Sequence, residues 1–287
     1  MTRIVFIIAF ALIAFTAGAQ KVNEPRGNPE WSQPYPPFRI VGNVYYVGTY
    51  DLGCYLIVTS KGNILINTGL AASSDLIRKN IETLGFKTSD LKILTTTQAH
   101  FDHVGALAAL KKETGAKVYA DAKDADVLTD GGVSDYEMSK YGVMFEPVKV
   151  DRELNDNDII ELGDTKLTML HHPGHTKGSC SFMLDVKDDD NKTYKVLIVN
   201  FPTIITARKL SVISEYPQIS GDIANTLALQ KKLNFDIWVA GHATQFYLHR
   251  KHNPGDPYDP QVFIDRAGYD KSLKDLEEAY QRKLQQN

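Results

Sequence analysis

The sequence predicts an α/β fold, a four-layer αββα sandwich, and three observations carry that prediction. The chain runs twice through short β-rich segments followed by helical ones. No linker long or polar enough divides the two halves. Histidines recur just past the ends of buried strands, at His100, His175 and His242, where a site between two sheets would gather them.

Taken in order, residues 20–37 are rich in Pro, Asn and charge and read as an arm packed by Trp31 and Tyr35. Strands are expected at 40–49, 54–59 and 62–68, the last two joined by a turn at Ser60-Lys61-Gly62. Helical periodicity covers 75–84. A β-branched run at 93–97 reads as a buried strand, and 105–114 as a helix closed by Gly115. A short strand at 117–120 and a helical segment at 124–128 follow. Gly131 and Gly132 then open an irregular loop through Tyr136, placed near the site because loops carry function. The second half restarts with strands at 158–162, 166–171, 179–186 and 194–200, and 187–192 is a solvated turn. A helix at 226–232, a buried strand at 235–240 and a charged amphipathic helix at 269–285 complete the chain.

Composition narrows the function. With 43% apolar and 23% charged residues the chain is ordinary for a globular protein, large enough at 287 residues for a sizeable core. A net charge of −3 and a pI near 6.2 give no electrostatic case for nucleic acid or an anionic membrane. Arg3, the apolar run 4–15 and Ala17-Gly18-Ala19 read as a secretory signal peptide over 1–19, leaving one domain over 20–287. The run is shorter than the roughly 20 residues a membrane span needs, so the expected destination is the periplasm, with no membrane attachment after cleavage. Cys54 and Cys180 sit in separate strand-like runs, which favours buried free thiols over a disulfide. With no heptad or exposed apolar stripe, a monomer is expected.

Chemistry concentrates in Thr97-Gln98-Ala99-His100-Phe101-Asp102-His103, four potential metal donors at a strand-to-helix junction. Alternate side chains of an extended chain share a face, so Gln98 and His100 can address one ion. Asp102 and His103 are adjacent, point differently, and can address a second. His175 lies in a Pro/Gly turn after one strand and His242 just past another. The expected donor sets are therefore Gln98, His100 and His175 at one position, and Asp102, His103 and His242 at the other. A loop histidine alone is ordinarily solvated or hydrogen-bonded, which is how His249 and His252 are read. His171 and His172 are read as strand-end residues.

These residues resemble the metallo-β-lactamase fold, whose signature is His-x-His-x-Asp-His, with Gln98 where the first His stands. The resemblance is specifically to subclass B3. It extends through Phe38-Arg39-Ile40 to Thr49, Gly131-Gly132 with Ser134-Asp135, Pro147-Val148 with Asp151-Arg152, and Gly174-His175-Thr176. Gln at the first ligand position is similar to the GOB-type branch, so the departure is itself a family trait. The resemblance implies zinc-dependent hydrolysis of penicillins, cephalosporins and carbapenems, conferring resistance, with small-molecule β-lactams as the partners.

In that reading Asp102 is also catalytic and orients the nucleophile, and no acyl-enzyme forms. An amide oxygen is a weaker zinc donor than imidazole, so Zn2+ is expected to bind Asp102, His103 and His242 more tightly, with one or two ions per chain. Subclass members commonly carry Ser in the loop that here reads Phe201-Pro202-Thr203; Asn200, Thr203 and Tyr136 are the candidates to contact substrate in its place. Thioesterases of the glyoxalase II kind, lactonases and nucleases share the fold but generally use a carboxylate at the strand end where this chain has Asn200. A non-catalytic periplasmic zinc-binding protein is the remaining alternative.

Overall fold

A computed structural model describes residues 22–25 and 27–286. The expected signal peptide lies outside the described residues. Among those described, no helix is long and apolar enough to cross a membrane.

The first half builds a sheet from β1 (Phe38–Val41), β2 (Val44–Tyr46), β3 (Tyr55–Thr59) and β4 (Gly62–Ile66), all antiparallel, before α1 (Ser74–Thr83) carries the chain over its face. Next come β5 (Leu91–Thr95), the single-turn α2 (Phe101–Val104), α3 (Leu107–Thr114), β6 (Lys117–Asp121), α4 (Ala125–Asp130) and β7 (Arg152–Leu154). β4 to β7 run parallel, giving seven strands in sequence order. The second half contributes β8 (Ile159–Leu162), β9 (Thr165–His171), β10 (Cys180–Lys187) and β11 (Thr193–Val199) as an antiparallel meander. After α5 (Ile219–Gln230), β12 (Ile237–Ala240) joins β11 in parallel; α6 (Leu248–Lys251) and α7 (Arg266–Leu284) finish the chain.

Side-chain alternation explains the layers. In β3 and β4, Tyr55, Ile57, Ile64 and Ile66 face the core shared with the second sheet, where Phe182 and Ile198 pack. Leu56 and Leu65 point the other way, against Ile77 and Ile81 of α1 and Leu107 and Leu110 of α3. Leu227 of α5 and Tyr269 and Leu273 of α7 close the far side around Trp238, which is fully buried and donates its indole N–H to Asp265 O at 2.7 Å. Helices therefore flank both sheets, as predicted.

Several elements differ from expectation, the helix expected at 226–232 running from Ile219 to Gln230, and three of the differences have a local reason. The strand expected at 40–49 is broken, because Gly42 takes φ 50° and turns β1 back onto β2 with Val41 opposite Val44. β7 carries no strand signal in the sequence because it is three residues long, two of them charged, at the edge of its sheet. β5 stops at Thr95, not Thr97: Asn67 Oδ1 accepts from Thr97 N at 2.9 Å, and Thr96 Oγ1 donates to Gln98 O at 2.6 Å. Side chains thus replace the sheet ladder, and the freed segment swings Gln98 and His100 towards the second sheet.

Candidate metal centre

Short connections place each donor. His100 is the residue before α2, with extended backbone (φ −103°, ψ 152°), and its carbonyl accepts from the amides of His103 and Val104. That tight turn puts Asp102 and His103 on the helix while Gln98 and His100 precede it. His175 sits in the loop between β9 and β10, and His242 directly after β12. All six side chains are largely withdrawn from solvent.

At the first position His100 Nδ1 and His175 Nε2 face each other at 3.0 Å. Their other nitrogens are held from behind: His100 Nε2 lies 3.1 Å from Asp135 Oδ2, and His175 Nδ1 lies 2.8 Å from Thr203 O and 2.7 Å from Thr203 Oγ1. Gln98 Oε1 is buried with no hydrogen-bond partner. At the second position Asp102 Oδ2 stands 3.3 Å from His242 Nε2 and 3.5 Å from His103 Nε2, and the donor atoms of the three lie within 4.8 Å of one another. Neither ring nitrogen of His103 makes a hydrogen bond. His242 Nδ1 donates to Asp51 Oδ2 at 2.9 Å, and the same oxygen accepts from Trp31 Nε1 at 3.1 Å. Trp31 packs against the His242 ring at 5.6 Å between centroids, which brings the N-terminal arm onto the site.

Burial and charge set the protonation states. Burial pushes the His103 imidazole down to about 4 and that of His175 down to about 3, leaving both rings neutral at pH 7 with lone pairs to donate. Burial also opposes a charged His242, but hydrogen bonds to Asp102 and Asp51 carry that ring up to about 9. His100 is likewise held above its usual value, the Asp135 carboxylate outweighing desolvation. Desolvation would raise Asp102; the neighbouring His103 and His242 rings instead hold it well below the ordinary carboxylate range.

The arrangement fits zinc. Two imidazoles bound tetrahedrally at about 2.0–2.1 Å from one ion stand about 3.3 Å apart, close to the spacings above. Two of the buried atoms without partners, Gln98 Oε1 and His103 Nε2, are donors in the two sets. The hydrogen-bonded outer nitrogens of His100, His175 and His242 fix tautomer and ring direction, as the partners of metal-bound histidines do.

Of the other expected residues, Tyr136 is buried and donates its hydroxyl to His175 O at 3.1 Å, and Thr203 bonds His175 as described. Asn200 lies behind them, its amide N–H donating to Ser181 Oγ at 3.0 Å and its side-chain NH2 buried without a partner. His249 is stacked on Tyr50 and His252 on Phe38, apart from the donor sets, while His171 meets Asp121 and His172 meets Ser181. Cys54 and Cys180 are buried free thiols. Sequence reasoning missed Asp51 and the hydrogen-bonding role of Asp135. Ser134-Asp135 is part of the motif set that carries the resemblance, but nothing local to Asp51 signals its task.

Residues 54–188 match the profile of the Metallo-beta-lactamase superfamily. The metallo-beta-lactamase GOB-18 of Elizabethkingia meningoseptica is 57% identical with a TM-score of 0.92, over 94% of this chain and 100% of its own. LRA-12, a class B3 di-zinc metallo-beta-lactamase from an Alaskan soil metagenome, is 59% identical with a TM-score of 0.90, over 92% of this chain and 100% of its own. A hydroxyacylglutathione hydrolase of Bradyrhizobium sp. is 29% identical over 47% of this chain and 48% of that protein. The chain spans only about half to two thirds of the length of the curated relatives it matches. By its full-length likeness to the first two, the chain belongs to the subclass B3 metallo-β-lactamases, on the branch that carries the Elizabethkingia enzyme.

Proposed function

We propose that the chain is a zinc-dependent β-lactamase, exported through a signal peptide over 1–19 to the periplasm as one domain, residues 20–287. It opens the β-lactam amide of penicillins, cephalosporins and carbapenems with water. The observation that carries this reading is full-length likeness to named β-lactamases, joined to two groups of converging donors whose outer atoms are already braced. Gln98, His100 and His175 would hold one ion and Asp102, His103 and His242 the other.

Bound zinc supplies Lewis-acid polarisation of the lactam carbonyl and hydroxide at neutral pH. The protein does the rest. Asp102 remains ionised at working pH, so it accepts hydrogen bonds and orients the attacking water. Asp51 and Asp135 keep His242 and His100 aimed inward. Cys54 and Cys180 offer no nucleophile, because burial pushes both thiols far above neutral pH. Among the substrate candidates, Tyr136 and Thr203 have their hydroxyls engaged with His175. The NH2 of Asn200 has no partner, but it is buried behind them and is not presented to a substrate carboxylate.

The amide of Gln98 makes its position the weaker one, so a single zinc at Asp102, His103 and His242 suffices for turnover. The test measures zinc content and carbapenem hydrolysis on the purified mature protein, before and after chelation and zinc return, and again for Gln98→His. Chelator-sensitive turnover is expected, with a gain in second-ion affinity in Gln98→His. Stoichiometric zinc without hydrolysis of any β-lactam would overturn the reading in favour of thioesters or lactones. Two tightly bound ions in the wild type would overturn the account of Gln98 alone.

A further inference from the structure

Behind the first metal position lies a carboxylate that touches no donor side chain. Asp124 immediately precedes α4 and is 1% exposed. Its Oδ2 accepts from Ala99 N at 2.9 Å and from Thr176 Oγ1 at 2.7 Å, and its Oδ1 accepts from Gly178 N at 2.8 Å. Ala99 is the residue between Gln98 and His100, and Thr176 follows His175 directly. Gly178 is where the His175 loop passes against Asp124, so closely that a Cβ there would stand 2.4 Å from Asp124 N. One side chain therefore ties the loop carrying two donors of that position to the loop carrying the third. Its contacts at the other position are none among these bonds.

We propose that Asp124 is a positioning residue for the first metal position, setting the Gln98–His100 segment against the His175 turn. The inference rests on Gln98, His100 and His175 being the ligands there. All three partners of Asp124 are donors. Asparagine has the same shape but only one acceptor oxygen: either orientation of its amide sets an NH2 against a backbone N–H, at Ala99 or at Gly178. One of the two loops must give way.

The test titrates the metal-free full chain with Zn2+ and with Co2+ against a chromophoric chelator, for the parent, Asp124→Asn, Thr176→Val and His175→Ala. Each is also made in a Gln98→His background, where three imidazoles make the second equivalent measurable. We expect Asp124→Asn to weaken by about 10- to 100-fold the equivalent that His175→Ala abolishes, the range seen when an outer partner of a ligand is lost. The other equivalent stays within twofold, and the Co2+ absorption of the first position changes alone. Thr176→Val, which removes one bond and keeps the shape, moves the same equivalent in the same direction, and decides the matter if Asp124→Asn fails to fold. A merely structural role would lower the melting temperature but not separate the two equivalents. If Asp124→Asn and Thr176→Val keep both affinities while His175→Ala loses one, the positioning role is wrong and the ligand reading stands. If His175→Ala loses neither, the ligand reading falls first.

Discussion

Gly241 precedes His242 at the end of β12, and substituting alanine there tests the second metal position by steric means alone. A Cβ on residue 241 would stand 2.7 Å from His103 Cε1 and 3.5 Å from His103 Nδ1. Carbon atoms settle at about 3.5–4.0 Å, so roughly 0.8 Å must be recovered. The backbone cannot easily supply it: His103 O accepts from Thr68 N at 2.7 Å, and Gly241 O accepts from Gly53 N at 2.9 Å. The ring must swing instead. Zinc sites tolerate about ±0.2 Å in ligand distance, so a displacement several times larger removes His103 from the set. Losing an outer partner of a ligand costs about 10- to 100-fold in metal affinity, so losing the ligand itself should reach at least the upper end, and we expect Gly241→Ala to lose about 100-fold or more of its zinc affinity at Asp102, His103 and His242. The fold should suffer less. Overpacking costs about 1–3 kcal/mol, offset by about 0.4–1 kcal/mol from the stiffer unfolded chain, since Gly241 does not occupy the left-handed region. Zinc titration alongside thermal melting of the metal-free protein separates the two effects. Parent-like zinc affinity in a folded Gly241→Ala would refute the argument that His103 is wedged between strand end and ion.

Other perturbations probe different parts of the molecule. Asp51→Asn leaves one acceptor oxygen, so its NH2 opposes either Thr244 N or the pair Trp31 Nε1 and His242 Nδ1, and zinc affinity at that position should fall about 10- to 100-fold; unchanged affinity would show that Asp51 does not brace His242. His171 is raised above its usual value chiefly by its hydrogen bond to Asp121. Its stabilisation is therefore complete below the unfolded value of about 6.5 and is lost as pH rises through the higher folded value. Replacement by Gln should flatten the fall of the melting temperature as pH rises above about 6.5, and parallel curves would exclude the effect. Leu65→Ala, in the fully buried face between β4 and the helices, should cost about 2–5 kcal/mol in denaturant melts while leaving zinc stoichiometry intact.

What the sequence by itself determined was whatever depends on neighbours along the chain. Period-two runs placed most strands, left-handed Gly115 closed α3 where expected, and His100, His175 and His242 were legible as strand-end residues of the right chemistry. The break at Gly42 was legible too in principle, because Gly42-Asn43 is a turn dipeptide inside the expected strand. The tertiary structure decided everything that aims those donors. The partners of His242 and His100 are 191 and 35 positions away, at Asp51 and Asp135, and the carboxylate joining the Gln98 and His175 loops comes from Asp124. Periodicity and residue type report which face a side chain occupies and what it can ligate. The direction of an imidazole is set by the hydrogen bond on its far nitrogen, and that bond exists only once the two sheets have closed on one another.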